Sequence, residues 1–292
     1  FLGTDKYSNE DIKKELYNLG LSLRPSANSW KVYVELSGIE ESFDAGLDLM
    51  EHILRNAQGD TSALANLKQD ILKQRADNKK DKWRIMSGLK SFAKYGPENK
   101  FNNVLSEEEI MALTSEELSE IIHTLADYKH RILYYGKSSL DDVYAKLQEK
   151  HPLPDAPLTV KNPAKFEEQP TDQSVVYFAE YDMVQTELSM LSKGEKYNPD
   201  KAALISQFNQ FFGSGLSSLV FQEIRESKAL AYSAYAYVSS PSKPDESHYV
   251  NAYIGTQNNK LADAIDAMSQ LMDSIPAGTE AQFEESRISA LK

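Results

Sequence analysis

Residues 211–239, FFGSGLSSLVFQEIRESKALAYSAYAYVS, change rhythm midway. Gly213 and Gly215 open a short loop. Leu216, Leu219, Val220 and Ile224 then recur three to four positions apart, the spacing of a helix with one apolar face. Beyond Arg225–Lys228 the period falls to two. Tyr232, Ala234, Ala236 and Val238 alternate with Ser233, Tyr235 and Tyr237, as in a strand. The pattern predicts a helix ending at Arg225 and a strand beginning at Tyr232. A tight turn between them lets a guanidinium and a phenol converge on one point.

The same mixture extends in both directions. Downstream, 247–256 alternates as a strand, and 258–275 is an amphipathic helix on Leu261, Ile265, Met268 and Met272. Thr279 and Gln282 cap a last helix. Upstream, Ser174–Tyr181 and Gln185–Ser192 read as strands, and Asn198-Pro199 opens a helix to about Phe212. Residues 151–173 hold Pro152, Pro154, Pro157, Pro163 and Pro170 and no apolar period, which predicts a semi-extended linker between domains at 1–150 and 174–292.

In the first domain, Ser8 with Asp11, Ser106 with Glu109, and Thr114 with Glu117 mark capped helix starts. Trp30–Ser37 alternates as a half-buried strand, helices follow over 43–54 and 62–75, and Gly96-Pro97 breaks a helix over 85–95. Arg131–Tyr135 reads as a short strand before a helix at 140–150. Strand, glycine, helix, turn and helix recur at 30–75 and from 247 onward, as two copies of one α/β unit would. That order suits an α+β fold in which antiparallel sheets are covered by helices.

Composition removes several function classes. The chain has 292 residues, a net charge of −12 and no cysteine. Acidity argues against nucleic acid, which needs clustered cations. Without cysteine there are no disulfides, thiolate nucleophiles or thiolate metal sites. No apolar run approaches the ~20 residues of a membrane-spanning helix. The missing initiator methionine and the end within a helical pattern lead us to expect a piece of a longer protein.

The run G-x-G-L-S-S-x-x-F-Q-E-I-R-E-x-x-x-L-A-Y-S at 213–233 resembles the C-terminal half of the pitrilysin/insulinase family of zinc metallopeptidases, which includes insulin-degrading enzyme and the mitochondrial processing peptidase. The resemblance implies two domains of the same α+β build, of the LuxS and mitochondrial-processing-peptidase type. It gives Arg225 and Tyr232 the task of hydrogen-bonding the main chain of a peptide substrate, with Gly213 and Gly215 in the supporting loop. The chemistry is reasonable: peptide hydrolysis builds negative charge on a carbonyl oxygen, and fixed donors stabilise it. Arginine is always charged, and a phenol is a rigid donor.

The N-terminal stretch F-L-G-T-x-K-Y-S, with Leu19-Gly20, is similar to the segment following the family's His-x-x-Glu-His zinc motif. Any such motif would lie ahead of Phe1. Leu67–Arg75, where the family's third ligand would fall, has no glutamate, and Asp70 is its sole carboxylate. The resemblance therefore implies a degenerate half that binds no metal, has no catalytic residue of its own and is inactive alone. Zinc would belong to an N-terminal catalytic half of the same polypeptide or to a separate catalytic subunit. We expect a bacterial protein, with the periplasm slightly favoured over the cytoplasm. The alternative is a non-enzymatic scaffold homologous to the peptidase.

Other chemistry-bearing residues read as bland. Asp48-Leu49-Met50-Glu51-His52 is the zinc motif with Asp for the first His, but the stripe Leu47, Met50 and Leu54 places Glu51 and His52 towards solvent. His123, His130, His151 and His248 look scattered. Ser214 stands between two glycines with no acid–His partner in view.

Overall fold

The computed structural model describes residues 2–28, 31–160, 164–213 and 215–290. Trp30 and Ser214, singled out above, lie outside the described residues. The chain divides into two compact units, Phe1–Asp77 with Val104–Lys165, and Asn78–Asn103 with Phe166–Lys292. This division differs from one cut at 151–173: the helix at 82–95 belongs with the second unit, and residues up to 165 with the first.

The first unit is helices around two small antiparallel sheets. Strand β1 (Leu2–Thr4) precedes α1 (Asn9–Asn18), whose start is closed by the expected Ser8–Asp11 capping box. Strands β2 (Leu21–Ala27) and β3 (Val32–Gly38) form a hairpin, and β4 (Ala57–Gly59) pairs with β1. Strand β2 is hidden in the sequence because Pro25 interrupts it, and a two-stranded ribbon tolerates proline where a central strand does not. Helices α2 (Phe43–Asn56), α3 (Thr61–Asn78), α5 (Glu107–Ala112), α6 (Ser115–His123) and α7 (Leu140–Lys150) complete the unit. The boxes at Ser106–Glu109 and Thr114–Glu117 are both formed.

The second unit is one three-stranded antiparallel sheet, in the order β5 (Gln185–Lys196), β7 (Ser247–Gln257), β6 (Ser233–Ser239). One face carries the core. Phe211, Phe212, Leu219, Val220 and Ile224 pack with Ala234 and Ala236 of β6, Ala252 and Ile254 of β7, and Ala264, Met268 and Leu271 of α9 (Leu261–Asp273). Each large side chain withdrawn from water here contributes about 1.5–3 kcal/mol. The buried stripe of α9 is Ala264, Ala267, Met268 and Leu271, so Met272, expected inward, lies partly exposed.

The other face meets α4 (Lys82–Tyr95). There Tyr253 stacks on Tyr235, Trp83 approaches Tyr253, and Lys82 pairs with Glu187 at 2.6 Å. Covered on both faces, β7 is buried at almost every position rather than at alternate ones. Burial, then the neighbouring Glu187, raises the Tyr253 phenol above its ordinary range. Helices α8 (Ala202–Phe208) and α10 (Glu280–Ala290) complete the unit. The repeated order holds: β3 and β7 each pass through a 3₁₀ turn, at Glu40–Ser42 and Asn258–Lys260, into α2 and α9.

Two expected strands are not strands. Arg131–Tyr135 and Ser174–Tyr181 have no ladder partner among the described residues. Their apolar side chains stay in water, with Leu133 and Phe178 each 85% exposed. Period-2 hydrophobicity marks a segment fit for a sheet, but pairing needs a neighbour. The first segment is held by a side chain instead: Tyr134 Oη donates to Glu40 Oε1 at 2.5 Å, and Ser138 Oγ, just beyond it, donates to the same oxygen at 2.6 Å.

Those hydrogen bonds, Ser138 first and then Tyr134, lower the Glu40 carboxyl from 4.5 to about 2. A carboxylate lowered in the folded state stabilises fully above its unfolded value and loses that effect as pH falls through its folded value. We expect Glu40→Gln to lower the melting temperature at pH 7. The gap to the parent should close as pH is taken from 4.5 towards 2, which thermal melts across that range would check.

Candidate functional site

The turn that carries the two candidate residues is built from the core outward. Helix α8 runs into a π-helical turn, Asn209–Gly213, that buries Phe211 and Phe212. Gly213 then meets β6 backbone to backbone. A Cβ built on it would lie 1.5 Å from the Ala236 carbonyl oxygen, so no other residue fits. Beside it, the Asn209 side chain imitates a strand: Val238 N–H donates to its Oδ1 at 2.7 Å, and its Nδ2 donates to Val238 O at 2.9 Å. Gly215 has a different role. Its Cβ position is open, but its φ of +91° is one that side chains resist.

Leu219, Val220 and Ile224 face the core as their spacing required, whereas Leu216 lies in a turn and is 71% exposed. The following helical turn, Phe221–Ser227, is π-helical, a form that recurs at functional sites. It runs two residues past Arg225. Lys228 N–H donates to Glu223 O, Leu230 N–H donates to Ile224 O at 2.9 Å, and Ala229 sits at φ 48° to allow the reversal. An alanine there is strained, since the left-handed region suits glycine. The turn is then fastened to the end of β7. Thr256 Oγ1 donates to Leu230 O at 2.5 Å, Tyr232 N–H to Gly255 O at 2.9 Å, and Lys260 Nζ to Ala229 O at 2.9 Å. Strand β6 begins one residue later than expected, at Ser233.

This geometry places Arg225 and Tyr232 on the rim of one open cavity of about 260 Å³, which Gln257, Thr256 and Lys260 also line. Both side chains are about half exposed. The Arg225 guanidinium lies over the Phe221 ring, 4.7 Å from its centre, and its Nε is 3.6 Å from Glu226 Oε1. Tyr232 Oη accepts a hydrogen bond from Gln257 Nε2 at 2.7 Å. The cavity is thus cationic and rich in donors, with Glu226 as a carboxylate at its edge.

The first unit holds a constellation that the sequence reading missed. Glu51 is buried, not solvent-facing, and its Oε1 takes His151 Nδ1–H at 2.5 Å. His151 Nε2 lies 2.9 Å from His130 Nε2, and His130 Nδ1 donates to Tyr128 O at 2.7 Å. So two of the apparently scattered histidines belong to one chain of contacts. Nothing local announces it, because Glu51 and His151 are 100 positions apart. Asp48 pairs with Lys150 at 2.6 Å and His52 with Thr4 at 2.9 Å. The three polar residues of the near-motif therefore point to three different partners. Among the described residues, no three His, Asp or Glu side chains converge on one metal position. No helix among them is long and apolar enough to cross a membrane.

Residues 105–289 match the family model described as peptidase M16 inactive domain. Over 281 residues the chain is 23% identical to the uncharacterized zinc protease YmxG of Bacillus subtilis (strain 168), covering 94% of this chain and 66% of the relative. Its fold superposes on the peptidase M16 inactive domain from Pseudomonas fluorescens with a TM-score of 0.70 at 16% identity, covering 99% of this chain and 70% of that one. It superposes on the periplasmic protease PqqL from Escherichia coli with a TM-score of 0.72 at 13% identity, covering 99% of this chain and 32% of that one. At such identities the superpositions speak for the α+β fold.

The two glycines should respond differently to alanine. Gly213→Ala drives a carbon into the β6 backbone and should cost about 3 kcal/mol, the upper end for overpacking. Gly215→Ala meets open space and only a disfavoured φ, about 1–2 kcal/mol. Urea unfolding of both variants would check this order.

Proposed function

Because the chain belongs to the peptidase M16 family through that family's inactive domain, we propose that it forms the non-catalytic half of a zinc metallopeptidase. In this reading it closes the chamber over a peptide and donates hydrogen bonds to the substrate main chain. The observation that carries it is the shared rim: Arg225 and Tyr232, seven positions apart, reach one cavity because the turn between them is fastened to the end of β7.

The chemistry follows from what the two side chains offer. A peptide presents carbonyl oxygens as acceptors, and hydrolysis adds negative charge to one of them. A guanidinium and a phenol beside that oxygen stabilise the charged state more than the ground state, which lowers the barrier. Arg225 must leave Phe221 to do so. The guanidinium is itself about half exposed, and at such sites a cation over a ring contributes only about 0.5–1 kcal/mol, so the movement is cheap.

The partner in this reading is an N-terminal catalytic half of the same polypeptide or a separate catalytic subunit. It holds the zinc, and the metal supplies Lewis-acid activation of the water and carbonyl. Zinc is expected there because the family resemblance places the His-x-x-Glu-His helix in that half and because the relative YmxG is named a zinc protease. A second reading, a scaffold without chemistry, draws support from the resting contacts of Arg225, which engage Phe221 and Glu226 rather than Tyr232.

Two measurements decide. Metal analysis of the purified chain should find no stoichiometric zinc, and one tightly bound zinc per chain would refute the assignment. In the peptidase assembled with its catalytic half, Arg225→Ala and Tyr232→Phe should each lower kcat/KM about 10²–10³-fold, the usual loss for one oxyanion donor. Unchanged kcat/KM in both variants would favour the scaffold.

A further inference from the structure

A hydroxyl both donates and accepts, so the direction in which Tyr232 spends its one proton matters. The neighbour that decides it is Gln257. Its Nε2 lies 2.7 Å from Tyr232 Oη and donates to it. A phenol oxygen that accepts one hydrogen bond keeps its own proton for another partner. With the amide nitrogen on one side, the O–H bond turns away from Gln257, and the space beside it is the cavity shared with Arg225.

Gln257 is held where it can do this. It ends β7, the central and most buried strand, and is paired across to Gln185 of β5. The residue before it, Thr256, is fully buried and tied to Leu230. The residue after it, Asn258, accepts from Thr186 Oγ1 at 2.7 Å. Tyr232 is fixed from its own side through its N–H to Gly255. Two neighbouring strand ends therefore bring the amide and the phenol together.

We propose that Gln257 is a positioning residue that makes Tyr232 a hydrogen-bond donor towards the substrate. The proposal rests on the role given above to Tyr232 and adds the group that sets the polarity of its hydroxyl. Gln257 itself makes no contact with the reacting atoms in this scheme; it acts through Tyr232.

The test uses the chemistry of the 257 side chain. Glutamate only accepts, so Gln257→Glu draws the Tyr232 proton to itself and removes the donor from the cavity. Lysine only donates, so Gln257→Lys preserves the direction. In the peptidase assembled with its catalytic half, Gln257→Glu should lower kcat about 10²-fold with KM little changed, as Tyr232→Phe does, and Gln257→Lys should stay within about threefold of the parent. Adding Gln257→Glu to Tyr232→Phe should cost almost nothing further, because the hydroxyl it acts through is already gone.

Equal effects of the Glu and Lys variants would overturn the proposal. So would a Gln257→Glu loss that persists in full beside Tyr232→Phe, since that would be plain charge repulsion. If Tyr232→Phe itself leaves kcat unchanged, the role of Tyr232 fails and this proposal goes with it. If Tyr232→Phe is damaging while the 257 variants are silent, only the role of Gln257 fails.

Discussion

Backbone contact at Gly213 is the constraint on which the second unit rests. Its Cα lies so close to Ala236 that one more carbon would overlap the carbonyl oxygen. That proximity lets the turn at 209–213 lie flat on β6 and drop Phe211 and Phe212 into the core. From there the chain returns as the helical turn of 221–227, with Leu219, Val220 and Ile224 facing the same core. The direction of Arg225 follows from theirs. Tyr232 comes into reach because the left-handed residue Ala229 reverses the chain and the end of β7 fastens it. The site is in this sense a by-product of close packing: the core fixes the helical turn, and that turn presents the cation.

Features that depend on near neighbours were legible in the sequence. The three capping boxes formed where serine or threonine stands three residues before a carboxylate, because both partners lie in one helical turn. Gly96 closes α4 for a similarly local reason, its φ of 75° being open to glycine. What failed were two segments that have the right period but no neighbour to pair with. Arg131–Tyr135 and Ser174–Tyr181 have the composition of strands and no ladder, since periodicity reports a face and not a partner. Strand β2 was invisible for the opposite reason: Pro25 spoils its pattern, yet β3 is there to pair with it.

The site divides along the same line. Arg225 and Tyr232 stand out because the run at 213–233 resembles a family motif, and the switch from helical to strand period falls between them. Gln257 does not, being one polar residue at the end of a strand, and only the folded sheet lays it against the phenol. Glu51 was misplaced because an amphipathic stripe assumes one buried face. Helix α2 is enclosed further round, with His151 arriving from the far end of α7 to meet the carboxylate. Long-range polar pairs of this kind leave no mark in a single sequence.

The Asn209 side chain has a consequence for how this molecule ages. Its amide occupies the outer edge of β6 at Val238, giving one hydrogen bond and taking another. Spontaneous deamidation would turn it into a carboxylate, which cannot donate and would face the Val238 carbonyl with like charge. The strand margin it seals would then be open, and exposed margins recruit foreign strands. Burial of the adjoining Phe211 and Phe212 holds the backbone beside Asn209 in its helical turn, which disfavours the ring closure deamidation requires. The packing that shapes the cavity thereby also shields the amide from slow chemical wear.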